Sequence, residues 1–434
     1  RMDNDKTFDA LLLTTFLLVG VELLELIDKE EASELQDHIN EQRRLCRSLP
    51  SEKNRPTWIG FCNRVSDSHF RRQFRMTRTA FTNLCTILSR AVGTSTFRPE
   101  DAVLSTRNSA SLQSRGGLIP GEVKVAISLR ILAGGSYLDL MPLFDVSVAH
   151  IYVIFDEFLV WVMKALKFPL ARYLYDEDWA ALASLAEPFS YGSNGVFAGI
   201  IGALDGLAIR IRSPKLSEVA DPGYYYCRKG FYALNVQAIC DRSKKFVWCY
   251  TSNKGSTHDS VAFANSCLFS LLSLKAETLE EKGYFLVGDS AYNLSPFLLV
   301  PYSTDEVRLD TSNMCDAFNF YLSSSRIYIE CAFGELVMRW GILWKTLHFD
   351  LAKCQRIVQV CMLLHNHIKD EMEDCSPEDW EWRPIDDSSG TNVEHAFPLV
   401  TDNNERVAGG RRSATQESNR VRGDIIRCSI AVQL

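Results

Sequence analysis

No Cys-x-x-Cys pair occurs anywhere in the 434 residues, although the chain holds 13 cysteines. An odd, scattered set argues against a disulfide framework and against a structural zinc site, and it suits a reducing compartment, cytosol or nucleus. No apolar run reaches the about 20 residues that cross a bilayer as a helix. The longest early one, Ala10 to Val21, follows Asp9 and is closed by Glu22 and Glu25, so a helix of a water-soluble protein is expected there and no membrane. Arg1 is the only cation before Lys6 and no small-residue cleavage site follows, which speaks against a secretory leader. Positive charge is not in excess either: 47 Lys and Arg against 54 Asp and Glu leave a net charge of −7. Any surface for nucleic acid must therefore be local.

What is present is ordinary in bulk, 46% hydrophobic and 23% charged, and the length allows two or three domains with ample cores. Residues 1–92 read as an N-terminal helical region. Within it, residues 42–78 carry ten Lys and Arg against Glu52 and Asp67. Trp58, Phe61, Phe70 and Phe74 are interleaved with them, and Phe81 follows. Such a mixture is either a phosphate-and-stacking surface or an amphipathic core with solvated arginines. Residues 93–121, rich in Ser, Thr, Gly, Pro and Arg, read as a linker.

Residues 122–190 begin with a helix from Val123 to Ala133, stopped by Gly134-Gly135. A second runs from Ser136 to Phe144, and a third, after Asp145-Val-Ser147, continues to about Leu166. This is a helix-turn-helix-like outline. The third helix has no Lys or Arg between Asp145 and Met163 but has Asp156 and Glu157. Base reading wants basic or amide side chains, so packing or dimerisation is the favoured role.

From residue 191 the pattern turns to β. Strands are expected at Val196–Ile211, Phe231–Cys240, Lys245–Thr251 and Tyr284–Gly288, with a helix from His258-Asp259 to Leu274 between the last two. Residues 296–323 read as irregular, and helices follow at 325–345 and 353–370. Residues 371–434, acidic and then polar, are expected to be disordered. The fold class is α/β: an RNase H-like catalytic domain, 191–370, preceded by an all-α helix-turn-helix-like region.

Three acids stand out. Asp205 interrupts the apolar run Gly202-Ala-Leu-Asp-Gly-Leu-Ala-Ile-Arg-Ile211, where an unpaired carboxylate is costly; Arg210 or a divalent cation is its natural partner. Asp289 ends the apolar run from Tyr284, and Glu330 lies one helical turn from Arg326 and from Gly334. Two strand-end aspartates and a helical glutamate describe a metal-dependent nuclease centre. The plainer alternatives are caps and salt bridges, with Glu330 pairing to Arg326.

Several motifs then match one family in order. They are Gly202-Ala-Leu-Asp-Gly206, Arg228-Lys-Gly-Phe-Tyr-Ala-Leu-Asn-Val-Gln-Ala-Ile-Cys-Asp241, Gly255-Ser-Thr-His-Asp259 and Gly288-Asp-Ser-Ala-Tyr292. After them come Asn319 with Arg326 and Ile329-Glu-Cys-Ala-Phe-Gly334, Arg339-Trp-Gly-Ile-Leu343 and Leu364-His-Asn366. Residues 200–370 resemble the nuclease of PIF/Harbinger-type transposases of the DDE superfamily. The chain departs from the family at Leu207, where Thr is usual, and at Ala291, where Gly is usual; neither removes an acid.

The resemblance implies that Asp205, Asp289 and Glu330 are the catalytic triad and hold two Mg²⁺ or Mn²⁺ ions, with DNA (transposon ends and target) as substrate. Asp259 either caps its helix or supports a metal ligand, and the cap is preferred. His258 would face phosphate or orient a carboxylate. Arg228, Lys229 and Arg326 either contact the DNA backbone or are solvated. The resemblance also implies a nuclear location, a Myb-like DNA-binding partner and a homo-oligomer. A domesticated descendant that binds DNA or protein without cleavage is the alternative.

Overall fold

The computed structural model describes residues 57–93, 97, 119–192, 195–372 and 414–431. All of them belong to one compact unit. The early apolar run, the basic residues 42–56 and most of the 93–121 stretch lie outside the described residues.

Helices α1 (Trp58–Arg64), α2 (Asp67–Phe74) and α3 (Arg78–Val92) come first. Each starts on a hydroxyl that accepts a backbone N–H: Thr57 from Gly60, Ser66 from His69 and Thr77 from Ala80. Their aromatics are core. Phe61, Phe70, Phe74 and Phe81 are buried, and Trp58 lies 5.0 Å from Phe81, ring centre to ring centre. The stacking alternative is thus closed for these four rings, because a buried ring has no face for a base. Burial wins at this spacing because the aromatics recur on one face of each short helix.

Next come α4 (Gly121–Leu132), α5 (Tyr137–Phe144) and α6 (Val148–Ala165), then α7 (Leu170–Tyr175) and α8 (Trp179–Gly192). The third helix of the helix-turn-helix-like outline, α6, is a packing helix. Ile151, Ile154, Phe155, Phe158, Leu159, Trp161 and Val162 are all buried. Its two acids are consumed internally, Asp156 by Lys353 at 2.7 Å and Glu157 by Lys124 at 2.7 Å.

The sheet has the order β3-β2-β1-β4-β5. Strands β1 (Ile200–Arg210), β2 (Ala233–Cys240) and β3 (Phe246–Lys254) are antiparallel neighbours, whereas β4 (Phe285–Val287) and β5 (Leu298–Leu299) run parallel to β1. Between β3 and β4 the expected single helix is three: α9 (Asp259–Ala264), α10 (Cys267–Leu274) and α11 (Ala276–Lys282). Ser266 breaks it, its hydroxyl accepting from Phe269 N to begin a new helix.

The 296–323 stretch is not irregular. It holds β5, then α12 (Thr304–Leu309), then the first third of α13 (Met314–Arg339). A two-residue strand gives no period to read, and α13 mixes polar and apolar residues around its circumference. Helix α14 (Leu351–Met372) follows. The expected disordered tail is corrected in part: residues 414–431 form helix α15. Arg427 anchors it, buried against Glu306 (2.8 Å), Asp424 (2.6 Å) and the Tyr302 ring (3.7 Å). Long-range pairing of that kind carries no local sequence signal.

One hydrophobic core joins the first six helices, one face of the sheet, α13 and α14, so residues 57–92, 122–190 and 191–370 are not separately packed domains. A second core lies on the opposite face of the sheet, under α7, α8, α10 and α11. Two motif asparagines fasten the sheet's surroundings through both backbone groups of a partner. Asn366 on α14 accepts from Phe246 N and donates to Phe246 O, each at 2.7 Å. Asn319 on α13 does the same with Tyr302, at 2.7 and 3.0 Å.

Candidate active site

Strand β1 has eleven residues and Asp205 is in its middle, not at its end as the sequence pattern suggested. The strand that ends is β4. It pairs with β1 only between Ile200 and Ala203, while β2 follows β1 on to Arg210. Asp205 therefore sits where the sheet loses its neighbour on one side. Asp289, two residues past Val287 at the end of β4, arrives at this step. Asp205 is opposite Ala238 and shares a face with Ala203, the face on which α13 packs. That helix brings Arg326 and Glu330, joined at 3.6 Å as an i, i+4 pair.

The carboxylates feel one another. Burial raises the Asp205 carboxyl to about 7; Asp289 and Asp259 push the same way, while the Gly206 N–H and Arg326 oppose them. Burial also raises Asp289, with Asp259 and Glu330 adding to it and Arg326 and the Ala291 N–H offsetting it. Asp205 thus faces Asp289 and Asp259, and Asp289 faces Asp259 and Glu330, with Arg326 opposing the shift in both cases. Arg210, the protein partner considered for Asp205, instead lies 4.2 Å from the centre of the Phe231 ring.

Asp259 does not cap α9. His258 holds the capping position, and the Asp259 carboxylate accepts amide hydrogens from Asn235 (3.0 Å) and Gln237 (2.8 Å). Both amides alternate along β2 on the face opposite Asp205. Gln237 Oε1 in turn accepts from the buried Tyr292 hydroxyl at 2.6 Å. This buried chain, Tyr292 to Gln237 to Asp259, was missed as a unit. Its signal was present as two amides two residues apart in an otherwise apolar strand, since such groups are kept only when paired. Gly206 has a steric reason: a Cβ there would lie 2.4 Å from the Asp259 Oδ1 and 2.8 Å from Gln237 Nε2.

The Arg228 guanidinium donates to His258 Nδ1 at 2.7 Å, so these two predicted residues meet beside Asp259. Lys229 is exposed next to them. The pair His365 and His367 is structural, bonded through Nε2 to Lys244 O at 2.9 Å and to Ala80 O at 2.8 Å.

An all-oxygen set of this kind has the chemistry for a hard divalent cation. Among the described residues no three Asp, Glu, His or Cys side chains stand close enough together to form a ready metal cage. Mutual repulsion of carboxylates and the Arg326–Glu330 pair both favour this open arrangement.

The family of DDE superfamily endonucleases matches residues 204–366, a span that holds all three acids. Residues 204–366 are thus similar to the DDE superfamily endonucleases, and the relatives that follow agree with the PIF/Harbinger resemblance. The RNase H-like fold that this superfamily implies agrees with a sheet whose first three strands are antiparallel and whose last two run parallel to the first. HARBI1 of Mus musculus is 30% identical over 192 residues, 44% of this chain and 51% of the relative. The chain thus spans about half the length of the HARBI1 relatives it matches. Protein ALP1-like of Arabidopsis thaliana is 26% identical over 342 residues, 74% of this chain and 77% of the relative. The Arabidopsis protein named Antagonist of Like Heterochromatin Protein 1 is 26% identical over 318 residues, 70% and 74% of the two chains. No solved structure matches the chain. DDE superfamily endonucleases work with divalent metal ions on DNA, which is the chemistry the acid group suits.

Proposed function

We propose that this protein is a transposase nuclease that cuts DNA at transposon ends and joins the freed 3′-hydroxyl to target DNA by metal-assisted phosphoryl transfer. What supports this reading is geometric: Asp205 and Asp289 come from adjacent parallel strands, and α13, which bears Glu330, packs against β1. These three would hold Mg²⁺ or Mn²⁺. When bound, such ions activate the attacking oxygen and neutralise charge on the leaving one.

The chain's own residues set that chemistry up. Asn235 and Gln237, the latter held by Tyr292, fix the Asp259 carboxylate behind Gly206. Arg326 holds Glu330 at the rim of the group. Arg228 and Lys229 offer charge to the phosphates of a bound strand. Such a nuclease acts in the nucleus, as a homo-oligomer, and with a Myb-like DNA-binding partner that reads the sequence which the acid-bearing α6 does not.

A second reading, a domesticated DNA- or protein-binding factor without cleavage, draws on one structural observation: Arg326 already pairs with Glu330, one of the three acids, at 3.6 Å. The relative named as an antagonist of a heterochromatin protein fits it too. Supercoiled DNA carrying terminal repeats, incubated with Mn²⁺ and with or without a Myb-like partner, separates the two. Nicking by the wild type and none by Asp205→Asn supports the nuclease. Binding without nicking in every condition selects the second reading.

A further inference from the structure

The connection from β1 to β2 is built as a presentation device. Tyr225 is buried in the main core, and the tyrosines on either side of it are held outside, Tyr224 54% and Tyr226 51% exposed. Both are fixed in place. The Tyr224 carbonyl accepts from the Ser256 hydroxyl at 2.7 Å, and Lys254 lies 4.3 Å from the centre of its ring. The Tyr226 ring packs edge-on against Tyr232 at 5.3 Å. A tight turn closed by Gly230 N to Cys227 O, with Gly230 at φ +81°, lifts Arg228 and Lys229 beside them. Large exposed rings with little rotational freedom to lose are suited to stacking.

Charge decides the ligand. Between Val219 and His258 the only acids are Asp221, whose carboxylate accepts from Gly223 N, and Asp241 at the β2–β3 turn, against Arg228, Lys229, Arg242, Lys244, Lys245 and Lys254, in a chain whose net charge is −7. The two tyrosines thus stand among Arg228, Lys229 and Lys254, which suits a polyanion with flat, unpaired faces. The platform also leads to the site: Arg228 meets His258, the neighbour of Asp259, which covers Gly206 beside Asp205.

We propose that Tyr224 and Tyr226 form a stacking platform for unpaired bases of the DNA strand delivered to the carboxylates, with Arg228, Lys229 and Lys254 on its phosphates. The inference rests on the DNA-cutting reading for its purpose, but its test does not need cleavage. Stacking is blind to sequence and requires bases free of their partners, so the platform selects strands that are frayed or single-stranded near the cut.

The full chain is titrated, in chelator, with a fluorescein-labelled single strand, with the same strand forked, and with its blunt duplex. Each stacked base is worth on the order of tenfold in affinity. The double variant Tyr224→Ala/Tyr226→Ala is expected to lose at least about tenfold on the single and forked strands, to leave the duplex within about twofold, and to keep the wild-type melting temperature. Tyr224→Phe/Tyr226→Phe is expected to bind as the wild type, since the ring and not the hydroxyl stacks. Equal losses on all three DNAs, no loss on any, or failure of the Phe variant to rescue would overturn the platform. Wild-type protein that prefers the single strand through these rings but never nicks DNA would sink the nuclease reading and leave the platform standing.

Discussion

Replacing Asp205 with Asn should make the protein more stable at pH 8 in the absence of divalent ions, the reverse of what removing a buried structural carboxylate does. The Asp205 carboxyl rises from an ordinary 3.8 to about 7 on folding, about three units at about 1.4 kcal/mol each, or about 4 kcal/mol at most. Asp205 is only half-buried, so solvent screening and local relaxation leave roughly 1–2 kcal/mol. The sign follows from proton linkage. Below about pH 4 the group is protonated in both states and costs nothing. As pH rises towards 7 the unfolded chain releases its proton first, and above 7 the folded state bears the full cost of the charge. Asparagine keeps the acceptor for the Gly206 N–H and carries no charge.

Melting curves in chelator at pH 8 should place Asp205→Asn roughly 2–6 °C above the wild type for 1–2 kcal/mol, with the gap closing at pH 4. Adding Mn²⁺ should raise the wild type and not the variant. A variant that melts below the wild type at pH 8 would refute the charge accounting. Equal stabilisation of both by Mn²⁺ would remove Asp205 from the metal site.

Gly206→Ala should cost about 1–3 kcal/mol of stability, because the new methyl group displaces an Asp259 held by two amides; urea unfolding in chelator checks it, and an unchanged midpoint would refute the clash. Tyr292→Phe leaves Gln237 Oε1 buried without its hydroxyl donor and should cost about 1–3 kcal/mol in urea unfolding. Phe74→Ala, in the full core, should cost about 3–5 kcal/mol, with DNA affinity per folded molecule unchanged; a selective loss of DNA binding would reopen a stacking role for the N-terminal aromatics. Arg427→Ala leaves Glu306 and Asp424 without their buried partner and should expose α15 to limited proteolysis at least several-fold faster, as read by mass spectrometry, with the rest of the fold intact.

The sequence by itself determined a good deal. An acid inside an apolar strand must be compensated, and that singled out Asp205 without reference to any fold. Apolar runs bounded by turn residues placed β1 to β4 within a few residues, and helical spacing put Arg326 beside Glu330. Local rules reach this far because strand alternation and helix periodicity are written in neighbouring residues. Tertiary structure decided the rest. That Asp205 lies at a step in the sheet depends on how far β4 runs, and β4 is only three residues long. The amides Asn235 and Gln237 reach Asp259 across more than twenty residues of chain, so Asp259 became their acceptor, although a local reading makes it a cap. Helix α15 is held by partners more than a hundred residues away in sequence, such as Arg427 with Glu306. The interleaved arginines and aromatics of α1 to α3 were ambiguous for the same reason: only the neighbouring helices could bury those rings, and no local pattern states which neighbours will be there.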